Sequence, residues 1–233
     1  MDDLASLRRV ATIGAALAIV VSVPSSLALF AAFGWNIEAA IFGEPSAILG
    51  RGPEAAALLR WGAIGDMFYS YLLLVPLALF LHRRLRANLP WLADLGTVAG
   101  LAYIFVGAAA AAILAIAGGS LVEAYSAATA ADRAAIATSF DLVRNVVFFA
   151  LWQLLDTLTL GTWISSVGVL LLAERPILSR LLVVLGLALI AASLMSMTGV
   201  HSLAPLVVGV GAALLVWAGW VILDRSRRLP AAP

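Results

Sequence analysis

Two carboxylic acids, Asp66 and Asp156, lie deep inside long apolar stretches of this 233-residue chain. On insertion scales, a charged side chain at the centre of a bilayer costs about 2.5–3.5 kcal/mol. A charged residue in this environment either bonds to polar groups on neighbouring helices or belongs to a functional site. The chemistry open to this chain therefore centres on two buried acids.

The residues around Asp156 form a polar stripe when residues 141–172 are plotted at about 100° per residue, as in an α-helix. The members of the stripe are Asp141, Asn145, Trp152, Asp156, Thr159 and Trp163, with the apolar Phe149 among them and Gln153 beside them. In lipid, such a face turns toward other helices or a wet cavity. The two tryptophans either pack as core residues or wall a pocket around the carboxylate.

A second acidic group is expected near the membrane midplane. Asp66, Tyr69 and Ser70 share one helix face because they are spaced i, i+3 and i+4. Asp66 lies about 14 Å along the helix from residue 57, in a hydrocarbon core of about 30 Å. Tyr103 is expected at a comparable depth. The candidate ligand-binding residues are Asp156, Trp152, Gln153, Asn145, Thr159, Trp163, Asp66, Tyr69, Ser70 and Tyr103.

Three interpretations of the aspartates stay open at this point. They can hold helices together through bonds to neighbours such as Tyr69, Ser70 or Asn145. They can bind a proton or a cation in a carrier. They can also act as a catalytic acid pair on a lipid substrate, in which two nearby carboxyl groups take acid and base roles.

Composition excludes several other classes of protein. The chain is 64% hydrophobic and 12% charged, against roughly 25% charged residues in soluble domains. It has no cysteine and no lysine, so thiolate, iron–sulfur and lysine Schiff-base chemistry are excluded. A net charge of +1 gives no case for nucleic acid. His82 and His201 are predicted on opposite membrane sides and cannot share a metal, so we expect no cofactor.

Hydropathy predicts an all-α polytopic bundle of six transmembrane helices in a single domain over residues 1–228, followed by a disordered tail over 229–233. The predicted spans are 10–33, 57–81, 92–118, 143–172, 178–197 and 202–223. Most arginines fall on one side of this arrangement. The arginines on the other side are Arg51, Arg60, Arg133 and Arg144. The positive-inside rule then places both termini in the cytoplasm of a bacterium, with the bundle in the inner membrane.

Local signals refine these spans. Pro90 and Pro176 are suited to first helical turns, and Gly118 with Gly119 marks the end of the third span. Pro76 is expected to kink the second span. Residues 34–56 are expected to form an ordered or interfacial loop, and residues 119–141 a short external helix. Cleavage of the first span as a signal peptide is the alternative to six spans.

The chain resembles a group of bacterial six-span membrane proteins, the domain of unknown function 4386 type. The likeness is carried by the stretch from Leu58 through Arg60-Trp61 to Gly65-Asp66, running on to the His82-Arg83-Arg84 turn. The fourth–fifth hairpin, with Gly161, Arg175-Pro176 and Gly186, is similar too. The resemblance implies a six-helix architecture and no particular activity.

The leading functional hypothesis is a small carrier or a membrane-embedded binding protein for a lipophilic or small solute. The alternatives are a structural or accessory membrane subunit and an intramembrane enzyme that uses the two aspartates on an isoprenoid or lipid substrate. The expected partners are the lipid bilayer and a small ligand. Small residues over 107–112 and at Gly209 and Gly211 also allow close helix approach between copies of the chain, as in a homo-oligomer.

Overall fold

The structure is a computed structural model that describes residues 2–199, and this part contains five helices long and apolar enough to cross a membrane. Their bounds are Asp3–Ala32, Gly52–Leu85, Pro90–Ala127, Ala130–Leu170 and Pro176–Ser196, called here the first to fifth spans. The chain is therefore a helical protein built to span a membrane. The predicted sixth span, the tail over 229–233 and His201 lie outside the described residues.

The third and fourth spans extend further than predicted. The third helix continues through Gly118 and Gly119, which keep helical φ values of −60° and −58°, and ends at Ala127. The fourth begins at Ala130, so the separate external helix predicted over 119–141 was wrong. Glycine ends a helix only where the backbone leaves the right-handed region, and here it does not. Thr129 caps the fourth span instead, since its side chain accepts a bond from the backbone N–H of Asp132.

Other local predictions are confirmed. Pro90 and Pro176 each lie in a first helical turn, where the missing N–H has no partner to lose. The segment after the first span is ordered and contains two short helices, Ile37–Phe42 and Ser46–Leu49. The last residues of the predicted loop, from Gly52 onward, belong to the second span.

The three central spans each contain a segment of π-helix, in which the backbone bonds run from residue i to i+5. These segments are Met67–Tyr71, Leu114–Gly118 and Asn145–Asp156. In the second span a 3₁₀ turn over Leu72–Leu74 follows, and the α-helix resumes at Val75 with Pro76 in its first turn. The irregularity expected at Pro76 therefore precedes it. A backbone in lipid must satisfy its own polar groups, so the break stays helical.

The second, third and fourth spans form the centre of the described bundle. The first span packs along the second, the third packs against both the second and the fourth, and the fifth packs along the fourth. The third span carries small residues where it meets its neighbours. Its buried positions include Gly96, Ala99, Gly100, Gly107, Ala110 and Ala111. Small residues let helix backbones approach closely when there is no aqueous driving force between them.

Ion pairs join four span ends at one end of the bundle, called here the arginine-rich end. Arg83 pairs with Asp3, and the Arg84 guanidinium lies 2.7 Å from the Glu174 carboxylate. Arg86 lies 3.4 Å from Asp94 at the start of the third span. These contacts place the arginines of the second–third turn on the same side as the chain start, as predicted.

The fourth and fifth spans cross at their backbones. A Cβ atom added at Gly186 would lie 2.5 Å from the carbonyl oxygen of Gly161 and 2.1 Å from the Ser165 hydroxyl. Neither distance is tolerable for a carbon atom, and one of the two obstacles is backbone that cannot rotate away. The close crossing therefore depends on glycine.

We expect Gly186→Val to destabilise the protein by about 1–3 kcal/mol, because the added side chain overpacks this crossing. The matched control is Leu187→Val, at a neighbouring side chain that is 56% exposed; its effect should stay within about 0.5 kcal/mol. Unfolding midpoints in detergent micelles measure both variants. Equal midpoints for the two would contradict the close crossing.

Candidate functional site

A hydrogen bond between the second and fourth spans joins Tyr71 to Asp156. The Tyr71 hydroxyl donates to Oδ2 of Asp156 over 3.3 Å, and the Asp156 side chain is only 4% exposed. The other carboxylate oxygen, Oδ1, is buried and has no hydrogen-bond partner within residues 2–199. Asp156 is thus half satisfied in the interior of the bundle.

Asp66 is tied to the third span through Ser70. Its Oδ1 accepts a bond from the Ser70 hydroxyl over 2.7 Å. The Tyr103 hydroxyl donates to the backbone carbonyl of Ser70 over 3.1 Å, and both Asp66 and Tyr103 are buried. The sequence placed Asp66 and Tyr103 at similar depth, and the structure connects them.

The two acids belong to a single group of side chains. The rings of Tyr71 and Tyr103 lie 5.1 Å apart at their centroids, which connects the Asp66–Ser70 pair to the Tyr71–Asp156 pair. We call Asp66, Ser70, Tyr71, Tyr103 and Asp156 the acid–tyrosine cluster.

Local backbone geometry aims Tyr71 into this cluster. Tyr71 ends the π segment of the second span, and its φ of −131° and ψ of −74° depart from helix geometry. Its ring packs directly against the third span, since a Cβ atom at Gly107 would be 1.8 Å from the ring carbon Cε1. A glycine at position 107 is therefore required for the tyrosine to reach Asp156.

The π segment of the fourth span changes which residues face inward. The Thr157 hydroxyl donates to the carbonyl of Trp152, five residues earlier, over 2.9 Å. The wider turn means that a plot at 3.6 residues per turn is wrong between residues 145 and 156. Asn145, which that plot put on the inner stripe, is exposed. The buried side chains of this segment are Val147, Phe148, Trp152, Gln153 and Asp156.

The remaining candidates have separate roles in the structure. Trp163 packs on Tyr103 with ring centroids 6.2 Å apart, at the edge of the cluster, whereas Trp152 packs edge-on against Phe148. The Tyr69 hydroxyl lies 3.2 Å from that of Ser26, so it links the second span to the first. Gln153 is buried beside Trp152.

Two further stripe residues, Thr159 and Asp141, bond within the fourth span and lie outside the cluster. The Thr159 hydroxyl donates to the backbone carbonyls of Leu155 and Asp156 in its own helix. Asp141 pairs with Arg144, three residues later, at the far end of the span. Arg144 also donates to the carbonyl of Gly43, a contact that the sequence did not reveal.

Tyr71 is the cluster member that sequence reasoning missed. It lies five residues after Asp66, which in an α-helix turns it about 140° away from that acid. The one signal available was its position just before Pro76, where a helix is commonly irregular. No sequence pattern indicates the direction of that irregularity.

The cluster offers two carboxyl groups and two phenol groups in a buried setting. Within the described residues, no group of three or more His, Cys, Asp or Glu side chains could hold a metal ion. Two acids with aromatic neighbours can instead accept a proton or a small or lipophilic cation.

Comparison with protein-family models, curated proteins and solved structures finds no significant match to this chain. The functional inference therefore rests on the site residues.

We expect Tyr71→Phe to destabilise the bundle by about 0.6–1.7 kcal/mol, from the average to the largest value measured for bonds between membrane helices. The variant keeps the ring on Gly107 and removes only the hydroxyl that Asp156 accepts. Tyr125→Phe, which keeps a half-buried ring near the end of the third span, is the control and should change little. Unfolding in detergent measures both, and no loss for Tyr71→Phe would show that the Tyr71–Asp156 bond does not hold the helices together.

Proposed function

We propose that this chain is a small carrier or membrane-embedded binding protein for a lipophilic or small solute, in which Asp156, together with Asp66, binds a proton or a cation. Its location in a bacterial inner membrane, with six spans and both termini in the cytoplasm, belongs to the same proposal.

The observation that supports the proposal is the buried Oδ1 atom of Asp156, which has no hydrogen-bond partner among residues 2–199. Buried polar atoms are nearly always hydrogen-bonded, so an exception calls for an explanation. A residue that only joins helices would gain most with both oxygens bonded, because an unsatisfied buried acceptor costs about 1–3 kcal/mol. An oxygen that exchanges a proton or a cation must instead be free to accept it.

The aromatic side chains of the cluster favour a cation with an apolar body. Tyr71, Tyr103 and Trp163 present ring faces or edges around the acids. A cation over such a ring gains about 0.5–2 kcal/mol, more when water is excluded. Carboxylate charge and aromatic faces together suit a lipophilic cation better than an anion or a neutral sugar.

A structural role for the acids is the second candidate, favoured by the bonds from Ser70 and Tyr71. The two roles differ in their response to substitution. Asp156→Asn keeps an oxygen that can accept the Tyr71 bond and removes the charge. Asp156→Leu removes both.

We expect Asp156→Asn to weaken binding of tetraphenylphosphonium, a lipophilic cation, by at least about tenfold, because a carboxylate within about 4 Å contributes one to several kcal/mol. Quenching of tryptophan fluorescence in lipid nanodiscs measures the affinity. Asp132→Asn, an exposed acid at the start of the fourth span, is the matched control and should leave it unchanged.

The structural role predicts another pattern. Asp156→Asn would then bind the probe as the parent protein does, while Asp156→Leu would lose stability in detergent. That pattern would overturn the carrier proposal and establish the structural one.

A further inference from the structure

Three hydroxyl groups near Asp156 have each committed their one proton to another acceptor. Tyr71 donates to Oδ2 of the carboxylate. Thr157, the next residue along the fourth span, donates to the backbone carbonyl of Trp152, and Thr159 donates to backbone carbonyls of its own helix. A hydroxyl carries a single proton, so none of these groups can also donate to Oδ1 of Asp156.

The other hydroxyl groups of the acid–tyrosine cluster are committed in the same way. Ser70 donates to Asp66 over 2.7 Å, and Tyr103 donates to the backbone carbonyl of Ser70 over 3.1 Å. The cluster therefore holds no spare hydroxyl proton for Oδ1 of Asp156. A donor to this oxygen has to come from a molecule bound beside the cluster.

A second buried polar atom without a described partner lies about one helical turn from Asp156. Nε1 of Trp152 has no acceptor among residues 2–199, and an indole N–H can only donate. Trp152 precedes Asp156 by four residues, and both are buried side chains of the same π segment. The Trp152 ring packs edge-on against Phe148, which supplies no oxygen or nitrogen. The site thus has an unmet donor as well as an unmet acceptor.

These two atoms need opposite partners, which limits the molecules that satisfy both. A bare metal cation contacts Oδ1 of Asp156 but offers nothing that accepts from the Trp152 N–H. A tetra-alkyl cation supplies neither a donor nor an acceptor. Buried polar atoms are nearly always hydrogen-bonded, so a molecule that carries both groups fits the site better than either ion.

We propose that the acid–tyrosine cluster binds a protonated amine that also carries an oxygen acceptor, such as an ether or a hydroxyl, on an apolar body. The ammonium N–H donates to Oδ1 of Asp156, and the oxygen accepts from Nε1 of Trp152. The inference rests on the proposed function for the role of Asp156, and it adds which cations the site selects. Aromatic walls with a few placed polar groups are typical of sites for such molecules.

Three probes with one apolar body test the two bonds separately. The first, N,N-dimethyl-(diphenylmethoxy)ethylamine, has the N–H and the ether oxygen at a pH at which the amine is protonated. The second is its N-methyl quaternary salt, which lacks the N–H. The third is its carbon analogue, in which a methylene group replaces the oxygen. Equilibrium dialysis against the protein in lipid nanodiscs measures the affinities, and empty nanodiscs correct for partitioning into lipid.

We expect the parent protein to bind the ether amine at least about tenfold more tightly than the quaternary salt, and about threefold more tightly than the carbon analogue. The first ratio is larger because a hydrogen bond between charged groups is stronger than one between neutral groups. Each preference is a ratio measured on one protein, so a variant that is partly unfolded still reports it.

Two substitutions assign the bonds to their residues. Trp152→Phe keeps a ring against Phe148 and should abolish the preference for the ether over the carbon analogue, while the preference over the quaternary salt remains. Asp156→Asn should reduce the preference over the quaternary salt, because the charge on the acceptor is lost. Trp61→Phe, at a side chain that is 67% exposed, is the matched control and should change neither ratio.

The outcomes distinguish this inference from the proposed function. Equal affinity of the parent protein for the three probes would overturn the inference, and would mean that a water molecule joins the two atoms. The proposed function survives that result if Asp156→Asn still loses tetraphenylphosphonium binding. Unchanged binding of all these cations by Asp156→Asn would overturn both proposals, because the acid then takes no part in binding.

Discussion

The hydrogen bond from Tyr71 to Asp156 sets the arrangement around which the centre of this bundle is built. It joins the second and fourth spans across the third, so the third span must be thin where the tyrosine crosses it. Gly107 meets that requirement, because any side chain there would occupy the space of the tyrosine ring. The Tyr71–Asp156 contact thus accounts for both the close approach of the three helices and the burial of the acid.

The irregular helix segments make this contact geometrically available. A regular α-helix through residues 66–76 would turn Tyr71 away from the acid that precedes it by five residues. The π segment over Met67–Tyr71 and the following 3₁₀ turn rotate the side chains without breaking the chain of backbone bonds. Unpaired backbone polar groups are energetically costly in lipid. A membrane helix can therefore change its turn in this way, but it cannot leave its backbone groups unbonded. π-Helical segments recur at functional sites in proteins for the same reason.

Sequence reasoning predicted the features that depend on hydropathy and on single residue types. It missed the features that depend on the number of residues per helical turn. Five spans, the proline starts and the burial of Asp66 follow from apolar length and residue type. The inward stripe on the fourth span failed at Asn145, because it assumed 3.6 residues per turn where the backbone bonds run from i to i+5. Gly118 failed as a helix end for a related reason, since glycine permits a turn without requiring one. The backbone register of a π segment is decided by packing between helices, which a local sequence pattern does not contain.

The side chains that enclose the acid–tyrosine cluster differ between the two ends of the bundle. At the arginine-rich end, Trp163 packs against Tyr103 at the edge of the cluster. At the opposite end, the segment after the first span lies over the fourth span, because Arg144 donates to the carbonyl of Gly43 and the ring of Phe42 packs 5.7 Å from that of Phe149. Arg144 is itself 9% exposed, so its charge is offset by Asp141 and by that carbonyl instead of by water. Removing one partner of a buried arginine strongly destabilises a protein. The contacts of Arg144 therefore hold the segment after the first span in place over the fourth span.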